Sequence, residues 1–193
     1  MSGIRLTQLV GISDSESGNF VASATERDSM ARSASVTSMD NGTWRVYLSG
    51  EIHSEWRERI ADGVREAGLP VELLAPVTDH GASDDVGVDI LGPEQEGFWK
   101  DHKGAGVNAV RTQTLLRRAD VVVVRFGDKY RQWNAAFDAG FAAALGKPIV
   151  TLHDGELDHA LKEVDRAAQA TARTPEQVID VLRYVIRGEL PAG

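Results

Sequence analysis

"ADVVVVRFGDKYRQWNAAFDAGFAAALGKPIVTLH", residues 119–153, decides the fold. Val121 to Val124 form an apolar run with no polar alternation, the pattern of a parallel strand covered on both faces. Arg125, Asp128, Lys129, Tyr130, Gln132, Trp133 and Asn134 then crowd the strand's end. A helix of mostly small residues is predicted from about Gln132 to Leu145, and KPIVTLH reads as the next strand. A strand, a helix and a second strand in this order form a right-handed parallel crossover.

The same alternation extends to both sides. TWRVYLSG is β-branched and aromatic and ends at Gly50, and HSEWRERIADGVREAG places Trp56, Ile60 and Val64 at helical spacing before a stop at Gly68. PVELLAP gives a second strand. Val77 to about Lys100 is polar and Gly-rich, which predicts a long functional loop, and Ala105 to Arg118 predicts a helix leading into the valine run. RAAQATAR is a short fifth strand. In TPEQVIDVLRYVIRG, Thr174 is the N-cap, Pro175 the first helical residue, Gln177 the capping-box partner and Gly188 the stop. The fold class is therefore α/β: a three-layer α/β/α domain with a parallel, about five-stranded Rossmann-like or flavodoxin-like sheet. This domain spans residues 43–193, and residues 1–42, polar and without a sustained hydrophobic period, predict a disordered N-terminal extension.

Composition narrows the function. A chain of 193 residues has room for one domain of ordinary size. It contains no cysteine, which removes disulfides, thiolate metal sites and a Cys nucleophile. The net charge of -8 argues against nucleic acid and anionic membrane as partners and favours a small molecule. The N-terminus has neither a secretory nor a membrane-spanning pattern, so a cytoplasmic protein is expected. No G-x-G-x-x-G follows the first strand, and neither a phosphate-binding G-x-x-x-x-G-K-[ST] nor a G-x-S-x-G elbow occurs. No cofactor and no bound metal are expected.

Open parallel sheets bind ligands beyond the carboxyl ends of their strands. That rule selects Ser49 to His53, Val77 to Asp85, Arg125 to Asn134 and Leu152 to Glu156 as the segments expected to converge on one pocket. Carboxylates and histidines are plentiful there: Glu51, His53, Asp79, His80, Asp84, Asp85, Asp128, His153 and Asp154. Asp138 follows Asn134 by four residues, so both share one face near a helix start, where the helix dipole favours an ionised carboxylate. The same placement would also serve only to stabilise the helix. Asp79, His80, Asp84 and Asp85 have the ligand types of a hard-metal site, but such residues equally cap turns. Trp133 is placed to stack on a flat ring.

The segments VYLSGEIHSEWRE, PVTDHGASDD, VDILG, FWKDHKGAGVNAVRT and RFGDKYRQWNAAFDAGFAAALGKP resemble the YtoQ family, over Trp44 to Ile186. That family is grouped by fold with the nucleoside 2-deoxyribosyltransferases, which transfer a deoxyribosyl group between bases. The resemblance places Tyr47 where a tyrosine orients the nucleophile, Asp138 where a glutamate attacks the anomeric carbon, and Asp128 where an acid closes the strand. Asp138 is one methylene shorter than that glutamate, a withdrawal of about 1.5 Å. The D-x-G-T turn before the helix is replaced by Gln132, Trp133 and Asn134, and Arg111 and Thr112 lie where a further acid is expected.

An enzyme acting on the N-glycosidic bond of a nucleoside or nucleotide is the reading that follows. In it Asp138 stabilises or captures the sugar, Tyr47 and Asn134 orient the Asp138 carboxylate, Asp79 or His80 moves the proton, and Glu51, Asp128, Gln132 and Trp133 contact the ligand. A non-catalytic module that binds a nucleotide-like ligand or scaffolds an assembly is the alternative, and a metal-assisted hydrolase using Asp79 and Asp84 is the third. The related fold commonly builds its pocket at a dimer contact, so a homo-oligomer is expected.

Overall fold

In the computed structural model, residues 42–129 and 132–191 are described. The extension expected over residues 1–42 falls, but for Gly42, outside them, as do Tyr130 and Arg131. Five parallel strands, β1 (Trp44–Gly50), β2 (Val71–Leu74), β3 (Val121–Arg125), β4 (Ile149–Leu152) and β5 (Ala170–Ala172), form one sheet in the order β2-β1-β3-β4-β5. This is the flavodoxin-like order, whose direction reverses between β1 and β3.

The valine run is unbroken because its alternate side chains enter different cores. Val121 and Val123 pack with Val46, Leu48, Val150 and Leu152 against Trp56, Ile60 and Val64 of α1 (Trp56–Glu66) and Val178 and Leu182 of α6 (Pro175–Arg187). Val122 and Val124 join Tyr47 and Ile149 on the opposite face. There they meet Leu115 and Leu116 of α3 (Gly97–Arg118) and Ala135, Ala139 and Ala142 of α4 (Trp133–Ala144). The alanines let α4 pack close to the sheet, bringing its N-terminal half to the tips of β1 and β3.

Two expectations are corrected. The stretch Val77 to Lys100 is not a long loop: α2 (His80–Leu91) occupies its middle, and α3 begins at Gly97, well before Ala105. Asp79 starts α2 by accepting a hydrogen bond from Ala82 N at 2.7 Å. The glycines serve helix contact, since a Cβ at Gly87 would lie 2.2 Å from the Gly104 nitrogen. Gly-rich composition therefore marked a close crossing of α2 over α3, a packing role that looks like loop composition in sequence. The second correction falls on RAAQATAR, where the strand begins only at Ala170: its Arg166 and Ala167 end a helix, α5 (Asp158–Ala167), that follows a short 3-10 turn at Gly155–Leu157. Leu161 and Val164, three apart on its inner side, carried the signal.

The expected start of α6 is present, with Thr174 Oγ1 accepting from Gln177 N at 3.3 Å. Gln177 Oε1 reaches one residue further back than a capping box requires and accepts from Arg173 N at 2.7 Å.

Candidate active site

At the reversal of strand order, β1 and β3 diverge from their connecting helices and leave a cavity of about 810 Å³. Ser49, Gly50 and Glu51 form its floor, the α2–α3 pair one wall and α4 the other. The floor requires a close approach of two chains: Gly50 has φ +108°, and a Cβ there would lie 2.0 Å from the Arg125 carbonyl oxygen. Only glycine fits that junction.

Arg57 fixes the turn after β1. Its guanidinium, buried against the Trp56 ring, donates to the carbonyls of Leu48 at 3.2 Å, Gly50 at 3.0 Å and Glu51 at 2.6 Å. Trp56 Nε1 donates to the Glu51 carbonyl as well, at 2.8 Å. With its backbone held, Glu51 turns its carboxylate back to accept from His53 N and the Ser54 hydroxyl.

Asp138 enters from the α4 wall. Its Oδ2 accepts a hydrogen bond of 2.6 Å from the Ser49 hydroxyl, which is itself buried. Burial pushes the Asp138 carboxyl above the usual carboxylate range, and the Ser49 hydrogen bond pulls in the opposite direction. Tyr47 lies two residues before Ser49 on β1, so both side chains leave the same face of the sheet. It is wholly buried, and its hydroxyl makes no well-formed hydrogen bond among the described residues. Burial pushes the phenol up to about 12; Thr112, Arg57 and Arg111 oppose that rise, and the Asp138 charge adds to it.

The expected site residues divide into three groups. Glu51, His80, Gln132, Asn134 and Asp138 line the cavity, and Tyr47 lies beneath it. Asp79, Asp128 and Trp133 do not line it: Asp79 caps α2, Asp128 is exposed, and Trp133 is 71% exposed on α4. His80 Nδ1 lies 2.9 Å from Asp84 Oδ2. Gln132 holds the β3–α4 loop together, accepting from Gly127 N at 2.8 Å and donating to Lys129 O at 2.7 Å from a left-handed backbone (φ 34°).

Of the four strand tips expected to converge, three do so; Leu152 to Glu156 is absent from the lining because β4 lies one strand beyond the reversal. There His153 Nε2 is 3.0 Å from both oxygens of Asp165. This group could suggest a metal, since ligand atoms of His153, Asp158 and Asp165 lie within 4.8 Å of one another. The Arg173 guanidinium already supplies the cation, donating to Asp158 at 2.5 Å and approaching His153 Nδ1 at 3.3 Å. Neither Asp79 nor Asp84 belongs to such a grouping among the described residues.

Phe137 is a cavity residue outside the selected segments, and Ser49, which heads one of them, was given no role. The signal for Ser49 was the strand period, which puts it beside Tyr47; that for Phe137 was its place directly before Asp138, three residues after Asn134.

A parallel five-stranded sheet covered by helices on both faces, with a cavity at its reversal, defines an α/β protein of flavodoxin-like topology. Residues 47–186 match the family described as nucleoside 2-deoxyribosyltransferase YtoQ, and the chain belongs to that family. It is 41% identical over 144 residues to the uncharacterized protein YtoQ of Bacillus subtilis (strain 168), covering 75% of this chain and 97% of that one. The fold is shared with a conserved protein from Enterococcus faecalis V583, at a TM-score of 0.50 and 11% identity over 74% of this chain and 99% of the other. A 2-deoxyribosyltransferase from Bacillus psychrosaccharolyticus gives a TM-score of 0.44 at 16% identity, over 70% of this chain and 90% of that one. Among the described residues no helix is long and apolar enough to cross a membrane.

Proposed function

We propose that this chain cleaves or exchanges the N-glycosidic bond of a nucleoside or nucleotide, with Asp138 as the group that meets the sugar. The observation that carries the reading is the pair formed by buried Ser49 and half-buried Asp138, 2.6 Å apart, on a cavity large enough for such a ligand. The family description, which names nucleosides, supports the substrate class.

The base leaves with the electron pair of the C1′–N bond, and positive charge grows on C1′ and the ring oxygen. Asp138 presents the oxygen that Ser49 does not hold. A carboxylate in that position stabilises the charge and can close a bond to C1′, which a water or second base then breaks from the sugar side. Ser49 fixes the shorter acid, and Tyr47 packs behind it. His80, at the cavity edge and paired with Asp84, supplies the proton the departing base needs. Asn134, whose side chain makes no hydrogen bond among the described residues, is free to contact sugar or base, and Glu51 and Gln132 shape the floor.

Release of free base from a panel of ribo- and deoxyribonucleosides and their 5′-phosphates, followed by chromatography, tests the assignment. Asp138→Ala should lower turnover by on the order of a thousandfold or more with an unchanged circular dichroism spectrum. If the wild-type chain releases no base from any compound, yet binds one saturably, the protein is a binding module and the assignment fails.

A further inference from the structure

We infer that the Phe137 ring is the stacking platform for the planar heteroaromatic base of the ligand. This deepens the reading above and rests on it for the identity of the ligand.

On α4, Asn134, Phe137, Asp138 and Phe141 follow one another at spacings of one or three residues and all border the cavity. Phe141 is anchored: it is partly buried, and the Arg117 guanidinium lies over its ring at 5.1 Å. Phe137 has no such cover. It is 68% exposed, and among the described residues no other ring or cation packs on it.

An uncovered phenyl ring at a cavity mouth retains the cost of hydrating its faces, and a flat ring laid on it removes that cost. The occupant is identified by what surrounds the phenyl. Asp138, next in sequence, fixes where the sugar must lie if its carboxylate is to meet C1′. The base, one bond from C1′, then falls within reach of residue 137. Asn134, one turn back on the same side, offers an amide donor and acceptor for the ring's edge. An apolar face beside an amide and a carboxylate matches a base joined to a sugar better than it matches a lipid or an aliphatic acid. Trp133, though also exposed, is outside the cavity lining and cannot take this role.

Titration calorimetry with adenine, uracil, their nucleosides and ribose, on the full chain, tests the inference. Phe137→Ala should weaken every ring-containing ligand on the order of 10-fold and leave ribose unchanged, as loss of one base-stacking partner implies. Phe137→Tyr should retain wild-type affinity, and Trp133→Ala should stay within about twofold of it. Unchanged affinity in Phe137→Ala, or the absence of any ring-dependent binding to the wild-type chain, overturns the inference. So does a fall in sedimentation coefficient on Phe137→Ala, which would show that a second copy covers the ring. The two readings separate cleanly. Ring-dependent binding lost in Phe137→Ala without base release from any nucleoside keeps the platform and removes the enzyme. Base release that needs Asp138 but not Phe137 does the reverse.

Discussion

Two clusters of polar groups stand at the carboxyl ends of this sheet, and they differ in what they leave unfinished. At β4, buried His153 meets Asp165, Thr151 donates to Asp165 at 2.7 Å, and Arg173 bridges to Asp158. Every group there has a partner within the chain. At β1 and β3, Asp138 has one oxygen on Ser49, a raised pKa and open volume beside it, and Tyr47, two residues before Ser49, has a buried hydroxyl without a well-formed hydrogen bond among the described residues. Position at a strand tip is common to the two. Arg125 Nε, buried beside Asp154, also lacks a hydrogen-bond partner among the described residues, but Arg125 does not line the cavity. Incompleteness next to open volume is what distinguishes the strand reversal: a buried polar network satisfied from within stabilises, while one left open beside a cavity can receive a ligand.

The sharpest way to break the comparison is to exchange the expected consequences. Asp138→Ala should remove turnover by on the order of a thousandfold while the urea midpoint hardly moves. His153→Ala should do the opposite. It strips a buried partner from Asp165, at a cost of about 2 kcal/mol or more in unfolding free energy, with base release retained at temperatures where the variant is folded. If His153→Ala proves stable and inactive instead, the β4 cluster belongs to the active machinery and the contrast collapses.

Ser49→Ala gives a smaller effect. The hydroxyl only positions Asp138, so kcat should fall on the order of 10- to 100-fold while KM changes little, because substrate contacts are intact. Ser49→Thr, which keeps the hydroxyl, should recover part of the loss. A rise in KM with kcat preserved would instead make Ser49 a substrate contact.

Much of this contrast was legible in the sequence, and the missing part has physical causes. The valine run, the alanine-rich helix and the Thr174-Pro175 start fix a parallel sandwich through local patterns alone. Glu51, His80, Gln132 and Asn134 were found because the strand-tip rule depends on order in the chain, and Asp138 because it follows Asn134 by four residues on the same helix face. Which tips share a cavity depends on where the sheet reverses, and that is a tertiary property; His153 and Asp154 were therefore grouped with a site they do not enter. Gly87 misled for a related reason. Glycine answers to close packing as well as to turns, and only the α2–α3 crossing distinguishes the two.

Ionisation of Asp138 supplies a pH test of the same contrast. Its folded-state pKa is raised, so between the unfolded value and the folded one the native chain holds a proton that the unfolded chain has released. Stability from this group is present below the unfolded value and lost as pH rises through the folded one. Asp138→Asn keeps an acceptor for Ser49 and has no charge to bury. It should therefore be more stable than wild type at pH 7, with the difference shrinking as pH falls below the carboxylate range. Urea midpoints measured across that range provide the check, and a difference independent of pH would show that Asp138 is not penalised by burial.

Tyr47→Phe has the smallest expected effect and separates the two kinds of cluster at a single atom. The hydroxyl is enclosed beneath the cavity without a well-formed hydrogen bond among the described residues, so its retention costs free energy. Deleting it while preserving the ring leaves the packing against Val122 and Val124 intact and should raise unfolding free energy by about 1 kcal/mol. A purely structural tyrosine would then be improved without penalty. If the hydroxyl is kept to donate to Asp138 as the carboxylate turns toward the sugar, the more stable variant must also be the slower one, with kcat reduced and KM held. Equal loss of stability and activity would place Tyr47 with His153, in the class of groups already satisfied by the fold.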